Sequence, residues 1–181
     1  MIHIETPRIR LRDWEDGDTD PFYSINSDPK VMEHFPSTLS VEESANLQKR
    51  IIEEMSEYGY GLYAVDWKET GQFIGFIGFH HATFPADFTP CIEIGWRLSP
   101  KAWGRGLATE GATACLNNGF SELGFTDVYS FTACTNEPSI RVMERLNFAF
   151  EKTFQHPNIA PTHRLSKHVL YSMNAKRWLG G

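Results

Sequence analysis

Charged and aliphatic residues alternate through Arg8-Ile9-Arg10-Leu11-Arg12, the period-two pattern of a strand with one exposed face. Pro21 and Pro29 bracket a helix over residues 18–28. Ser40-Val41-Glu42-Glu43 is a capping box, and Leu47, Ile51 and Met55 follow at helical spacing until Gly59. Residues 62–67 and 72–80 are rich in Val, Ile, Phe and Tyr and flank a turn at Glu69-Thr70-Gly71, which predicts a hairpin. Cys91-Ile92-Glu93-Ile94-Gly95-Trp96-Arg97-Leu98 predicts a further strand, with Ile92, Ile94, Trp96 and Leu98 on one face and the more polar Glu93, Gly95 and Arg97 on the other. Beyond a glycine-rich stretch, Ala108, Ala112, Cys115, Leu116, Phe120 and Leu123 share a helix face that ends at Gly124. Residues 128–134 read as a strand, Asn136 as the cap of a helix carrying Ile140, Met143 and Leu146, and residues 148–154 and 168–173 as the last two strands. The pattern predicts a single mixed α/β domain over residues 1–181, with no repeat or linker to divide it.

Composition narrows the classes. With 41% hydrophobic residues, a chain of 181 can bury a sizeable core. Its longest apolar run, residues 73–79, falls far short of the roughly 20 residues that span a bilayer, and the N-terminus has no signal-peptide pattern, so a soluble cytoplasmic protein without a membrane partner is expected. Cys91, Cys115 and Cys134 are too few and scattered for a disulfide framework or a zinc site, and no metal is expected. Cys134 falls near the candidate cofactor site but has no neighbouring His in sequence to activate it. The net charge is −6, with 13 acidic against 6 basic residues in positions 1–60, which argues against nucleic acid as a direct partner. Such an acidic first third either draws in a cationic substrate or is simply a solvated surface.

The stretch Trp103-Gly104-Arg105-Gly106-Leu107-Ala108 carries the chemistry. Phosphate binding needs several N–H donors converging on one point; glycines allow the tight turn, and a helix N-terminus adds the positive end of its dipole. Three or four such amides with Arg105, at roughly 1.5 to 3 kcal/mol per charge-assisted hydrogen bond, can hold a pyrophosphate without a metal. The letters nearly spell a dinucleotide fingerprint. However, Ser99-Pro100-Lys101-Ala102-Trp103 separates the glycines from the strand, Thr109 replaces the third glycine, and no acidic residue ends the next strand.

Glu93-Ile94-Gly95-Trp96, Pro100, Trp103 to Glu110, Asn136-Glu137-Pro138-Ser139 and Leu146-Asn147-Phe148, with Thr6-Pro7-Arg8-Ile9-Arg10-Leu11-Arg12 near the start, resemble the GNAT N-acetyltransferases, in particular the branch that acetylates ribosomal-protein N-termini. The resemblance covers nearly the whole chain. It implies a GNAT-like fold, a central, mostly antiparallel twisted sheet of about seven strands flanked by about four helices. It also implies acetyl-CoA as co-substrate. The pantetheine would pair with the strand at Trp96, Arg97 and Leu98. The pyrophosphate would sit on the loop of Trp103, Gly104, Arg105, Gly106, Leu107, Ala108 and Thr109, and Asn136 and Ser139 would face the pantetheine and the sulfur. The tyrosine that many members use to protonate the thiolate falls at Met143, which cannot donate, and Ser139 is this branch's usual substitute; a serine there can also serve only to satisfy helix-start amides.

Acetyl transfer needs a free-base amine, a polarised carbonyl and support for the departing sulfur. Deprotonating a lysine amine at neutral pH costs about 4.6 kcal/mol, against roughly 1 kcal/mol for an α-amine. A protein or peptide N-terminus is therefore the expected acceptor. An aminoglycoside, a polyamine or another small amine is the alternative, as is a CoA-binding module without catalysis. Glu93 is the first candidate base, unless it only pairs with Arg97 or a neighbouring strand. His80 and His81 are the second choice. Phe22, Phe35, Tyr58, Tyr60, Phe84 and Phe88 are candidates for lining the acceptor end, and the protein is expected as a monomer or homodimer. If the glycine loop holds CoA, Gly106→Trp abolishes CoA binding while the chain stays folded; unchanged affinity by calorimetry would contradict the assignment.

Overall fold

The computed structural model describes the whole chain, Met1–Gly181. Its elements are β1 (Ile2–Glu5), β2 (Ile9–Arg12), α1 (Thr19–Asn26), α2 (Val41–Tyr58), β3 (Leu62–Trp67), β4 (Gln72–Ala82), β5 (Cys91–Leu98), α3 (Leu107–Ser121), β6 (Asp127–Ala133), α4 (Glu137–Arg145), β7 (Ala149–Gln155), β8 (Lys167–Asn174) and α5 (Ala175–Gly180). Local signals act where the sequence places them. Ser40 Oγ accepts from the Glu43 N–H while Glu43 reaches back to the Ser40 N–H, and Gly59 ends α2 at φ +77°. Asn136 caps α4, and Asn147 takes the left-handed conformation after it, at φ +63°.

The sheet has eight strands rather than seven, and there are five helices rather than four. Both additions are short terminal segments. β1 pairs antiparallel with β2 but leaves Ile2 exposed, so its hydrophobic signal is faint. α5 is started by Asn174, whose side chain accepts from the Arg177 N–H at 2.8 Å.

The strand order is β1-β2-β3-β4-β5-β6-β8-β7. Every neighbouring pair is antiparallel except β5 and β6, which run parallel and share a single register pair, Glu93 with Tyr129. The main core lies under α3, where Leu107, Ala112, Cys115, Leu116 and Phe120 pack with Ile9, Ile77, Phe79 and Ile94 from the strands. Gly111 lets α3 come that close: a Cβ there would stand 2.4 Å from Ile77 Cδ1. A smaller cluster, Phe22, Ile51 and Phe76, seals α1 and α2 to the other side.

Arg12 ties α1's approach to the sheet. Its guanidinium donates to both carboxylate oxygens of Asp18 at 2.8 and 2.9 Å and to both of Asp66 at 2.6 and 2.7 Å. Removing one acid strands part of a buried charge. Asp18→Ala is expected to cost about 3 kcal/mol, the low end for breaking a buried ion pair because Asp66 stays bonded. Thermal unfolding should fall by about 6 to 12 °C, and a loss under about 2 °C would show that the pairing is unimportant to the fold.

Candidate active site

Past Glu93 and Tyr129, β5 and β6 part company. Ser130 Oγ donates to the Ile94 carbonyl at 3.0 Å, and the Trp103 indole N–H donates to the Leu98 carbonyl at 2.9 Å. Backbone groups of alternate strand residues share a side, so Trp96, between these two, presents its N–H and C=O to the same gap with no strand to meet them. The opening continues as a channel of about 1230 Å³ that runs between the sheet, the segment 30–36, α2, the start of α3 and α4.

At one end lies the glycine loop. Gly104 and Gly106 both take positive φ, +70° and +75°, and α3 begins at Leu107 with no side-chain cap. Trp103 N donates back to Pro100 and Glu110 N to Gly106, but no amide in residues 104–109 has a protein acceptor. Unpartnered amides opening a helix of this length fit an anion. The loop is latched from the far end of the chain. Arg8 Nη1 donates to the Arg105 carbonyl at 2.7 Å and Arg8 Nε to Glu110 at 2.6 Å, while Thr6 Oγ1 donates to Glu110 at 2.6 Å.

At the other end stand the titratable groups. Glu93 and His80 are cross-strand partners, and both line the channel. His80 Nδ1 bonds Glu54 at 2.8 Å, and Glu54's second oxygen accepts the His81 N–H at 2.7 Å. The bond to Glu54 raises the His80 pKa against the opposing effect of burial, and Glu93's charge adds to the rise. Burial would raise Glu54, but the bonds from His80 and His81 outweigh it and leave the carboxyl lowered. Glu93 has no hydrogen bond or ion pair of its own; burial pushes it up to about 7, only partly opposed by His80. A carboxyl poised near neutrality in a cleft is suited to taking a proton. Ser139 completes the set. Asn136 Oδ1 already caps its N–H at 3.3 Å, and the Ser139 hydroxyl makes no protein hydrogen bond.

Residues 8–149 match the family described as Acetyltransferase (GNAT) domain. The chain belongs to the GNAT acetyltransferases. It is 30% identical over 153 residues to the protein YkkB of Bacillus subtilis, spanning 84% of this chain and 88% of that one. A GNAT acetyltransferase of Bacillus anthracis superposes with a TM-score of 0.79 at 24% identity over 97% of this chain and 99% of that one. The spermidine N-acetyltransferase of Vibrio cholerae, solved with CoA and spermine, superposes at 0.75 with 17% identity over 96% and 99%. The protein is thus an acetyl-CoA-dependent N-acetyltransferase, with the fold its sequence implied.

Within this acetyltransferase, several side chains lie elsewhere than the sequence suggested. The Arg105 guanidinium turns away from the loop and stacks 4.8 Å over Trp67, leaving only its backbone at the anion site. Trp103 occupies the Leu98 carbonyl, so the Trp96 N–H and C=O and the Leu98 N–H are the backbone groups of residues 96–98 that face the gap. Asn136 lines the channel, where its Oδ1 caps α4 and its Nδ2 donates to Thr132 Oγ1 at 2.9 Å. His81 lies away from the channel, stacked on Tyr58 and bonded to Tyr60, which takes all three out of the acceptor end. Phe22 is core, and Phe84 and Phe88 pack with Phe131 and Phe154; of the six aromatics proposed, Phe35 lines the channel. Arg97 does not pair with Glu93: Nη1 donates to Asn26 Oδ1 at 2.8 Å, and Phe35 and Phe76 rings lie 4.5 and 5.3 Å from its guanidinium carbon. Burial lowers its pKa to about 10.

Sequence reasoning missed Glu54, Arg8 and Glu110. Glu54 lay one turn from Arg50 on a helix read only for its apolar face. Thr6, Arg8 and Glu110 lay inside the two motifs that carried the resemblance, and co-occurrence of those motifs was the available signal. Because Glu110 holds Thr6 and Arg8 against the loop, Glu110→Ala is expected to weaken CoA binding about tenfold, on the order of 1.4 kcal/mol. Calorimetry with CoA checks this, and unchanged affinity would show that the loop keeps its shape unaided.

Proposed function

We propose that this enzyme acetylates a primary amine by direct attack, with Glu93 as the base, and that a protein or peptide α-amine is the acceptor. Acetyl-CoA supplies the thioester. Its pyrophosphate has the amides of residues 104–109 to bind, and its pantetheine has the open edge at Trp96. That edge brings the acetyl carbon alongside Gly95 and Glu93, with the Trp96 N–H available to polarise the carbonyl. The amine nitrogen forms the C–N bond as the C–S bond breaks. Its proton passes to Glu93, directly or through water, with His80 held alongside by Glu54. The Ser139 hydroxyl is free to donate to the leaving thiolate, while Met143, buried at 1% exposure, has no proton to give.

The observation that carries this reading is Glu93 itself: an unpartnered carboxyl beside the cleft, held near neutrality. A base with pKa about 7 is ready for an α-amine, whose own deprotonation costs only roughly 1 kcal/mol at pH 7. The acceptor's preference for an α-amine is supported by that economy and by the resemblance to the ribosomal-protein branch.

Since Glu93 must be ionised to act, kcat should rise with pH through about 7 and level off above it. Glu93→Gln is expected to lower kcat by roughly 10² to 10⁴ and to remove that rising limb, with CoA affinity intact. A loss under about threefold, or an unchanged pH profile, would rule Glu93 out as the base.

A further inference from the structure

The chain holds two arginines away from bulk solvent and treats them differently. Arg12 meets two carboxylates with four hydrogen bonds. Arg97 meets none. Its sole protein hydrogen bond runs from Nη1 to the neutral amide of Asn26, which is itself fixed by donating to Ser44 Oγ at 3.0 Å. Nε is shut off from solvent without a partner, and Nη2 has no protein acceptor either. Arg97 lines the channel, and Nη2, which is not shut off, is the N–H left to meet a carboxylate there. Phe35 and Phe76 hold the guanidinium plane in place, so Nη2 is set before anything arrives.

Nothing nearby supplies the missing charge. Lys30 and Arg50 line the same channel and make no ion pair. Of the acids there, Glu54 is committed to His80 and His81, and Glu33 faces His34. Glu93 shares Arg97's strand face four residues away, about 13 Å at strand rise, and forms no ion pair with it. Lys30, Arg50 and Arg97 thus leave unpaired positive charge along the channel wall beside Glu93.

We propose that the acceptor is an acidic amine, carrying a carboxylate several bonds from its reactive nitrogen, and that Arg97 binds that carboxylate through Nη2. This rests on the acetyl-transfer reading, which sets the amine at Glu93. The separation of Glu93 from Arg97 then fixes where the anion belongs, on the side chain or the next residue of a short peptide rather than directly beside the amine.

The C-terminally amidated dipeptides Ser-Glu, Ser-Gln and Ser-Lys test this, amidation removing the main-chain carboxylate all three would otherwise share, through acetylation rates with acetyl-CoA and through calorimetric binding to the enzyme–CoA complex. Ser-Glu should exceed Ser-Gln by about tenfold in kcat/KM and in affinity, with Ser-Lys poorest. Arg97→Gln should bring Ser-Glu and Ser-Gln within about twofold while CoA affinity stays unchanged, and Arg97→Lys should restore part of the preference. Because Arg97 also anchors Asn26, the wild-type comparison stands even if the variant fails to fold. Equal rates and affinities for Ser-Glu and Ser-Gln would overturn the proposal. So would an Arg97→Gln enzyme that binds CoA and keeps the preference. Selective binding of Ser-Glu without turnover would leave the carboxylate site standing and overturn the acetylation reading instead.

Discussion

The structure depends on one parting of strands. β5 and β6 are the only parallel neighbours in an otherwise antiparallel sheet, and they touch at one register pair before separating. A strand edge without a partner normally invites aggregation or needs a cover. Here it lies inside the protein, between α3 on one side and α1 and α2 on the other, where only a ligand of the right length can complete it. The proposed donor site follows from that gap: the Trp96 backbone faces it, the Ser130 and Trp103 side chains satisfy the carbonyls on either side, and the glycine loop opens where β5 ends.

Around this gap, buried charge is handled in two ways. Where the fold needs stability, charges are saturated, as in Arg12 with Asp18 and Asp66. Along the channel they are left short. Glu93 has no partner, Arg97 has one neutral one, and the Ser139 hydroxyl has none. For Arg97 Nε, closed to solvent, the omission costs folding energy, since a buried polar group without a partner is penalised by about 1 to 3 kcal/mol. The omissions gather in one channel, as expected where the partners are substrates rather than side chains.

Much of this was legible in the sequence because the signals were local. The capping box at Ser40, the turn at Gly71, the Asn136 cap and the alternation in Cys91–Leu98 each depend on residues within a few positions of one another, and each forms as read. The glycine loop was legible for the same reason. β1 and α5 were not, because a strand of four residues and a helix of six carry too few apolar positions to show a period. The site was legible in its strand and loop but not in its pairings. Glu54 meets His80 across 26 residues and Arg8 meets Glu110 across 102, and nothing in either neighbourhood names the other. Alternation put Glu93 and Arg97 on one face and so allowed an ion pair between them. What decided otherwise was Asn26, 71 residues from Arg97, with the two rings that hold the guanidinium plane.

The central claim is that the parted edge and the free amides form one continuous donor site. The most direct measurement is the backbone amide spectrum of isotope-labelled enzyme during a CoA titration. The account predicts that the amides of residues 104–109 and of Trp96 shift together and saturate at one concentration, while the paired amides of β3 stay still. Saturating shifts confined to other segments, with Trp96 and the loop unmoved, would contradict it.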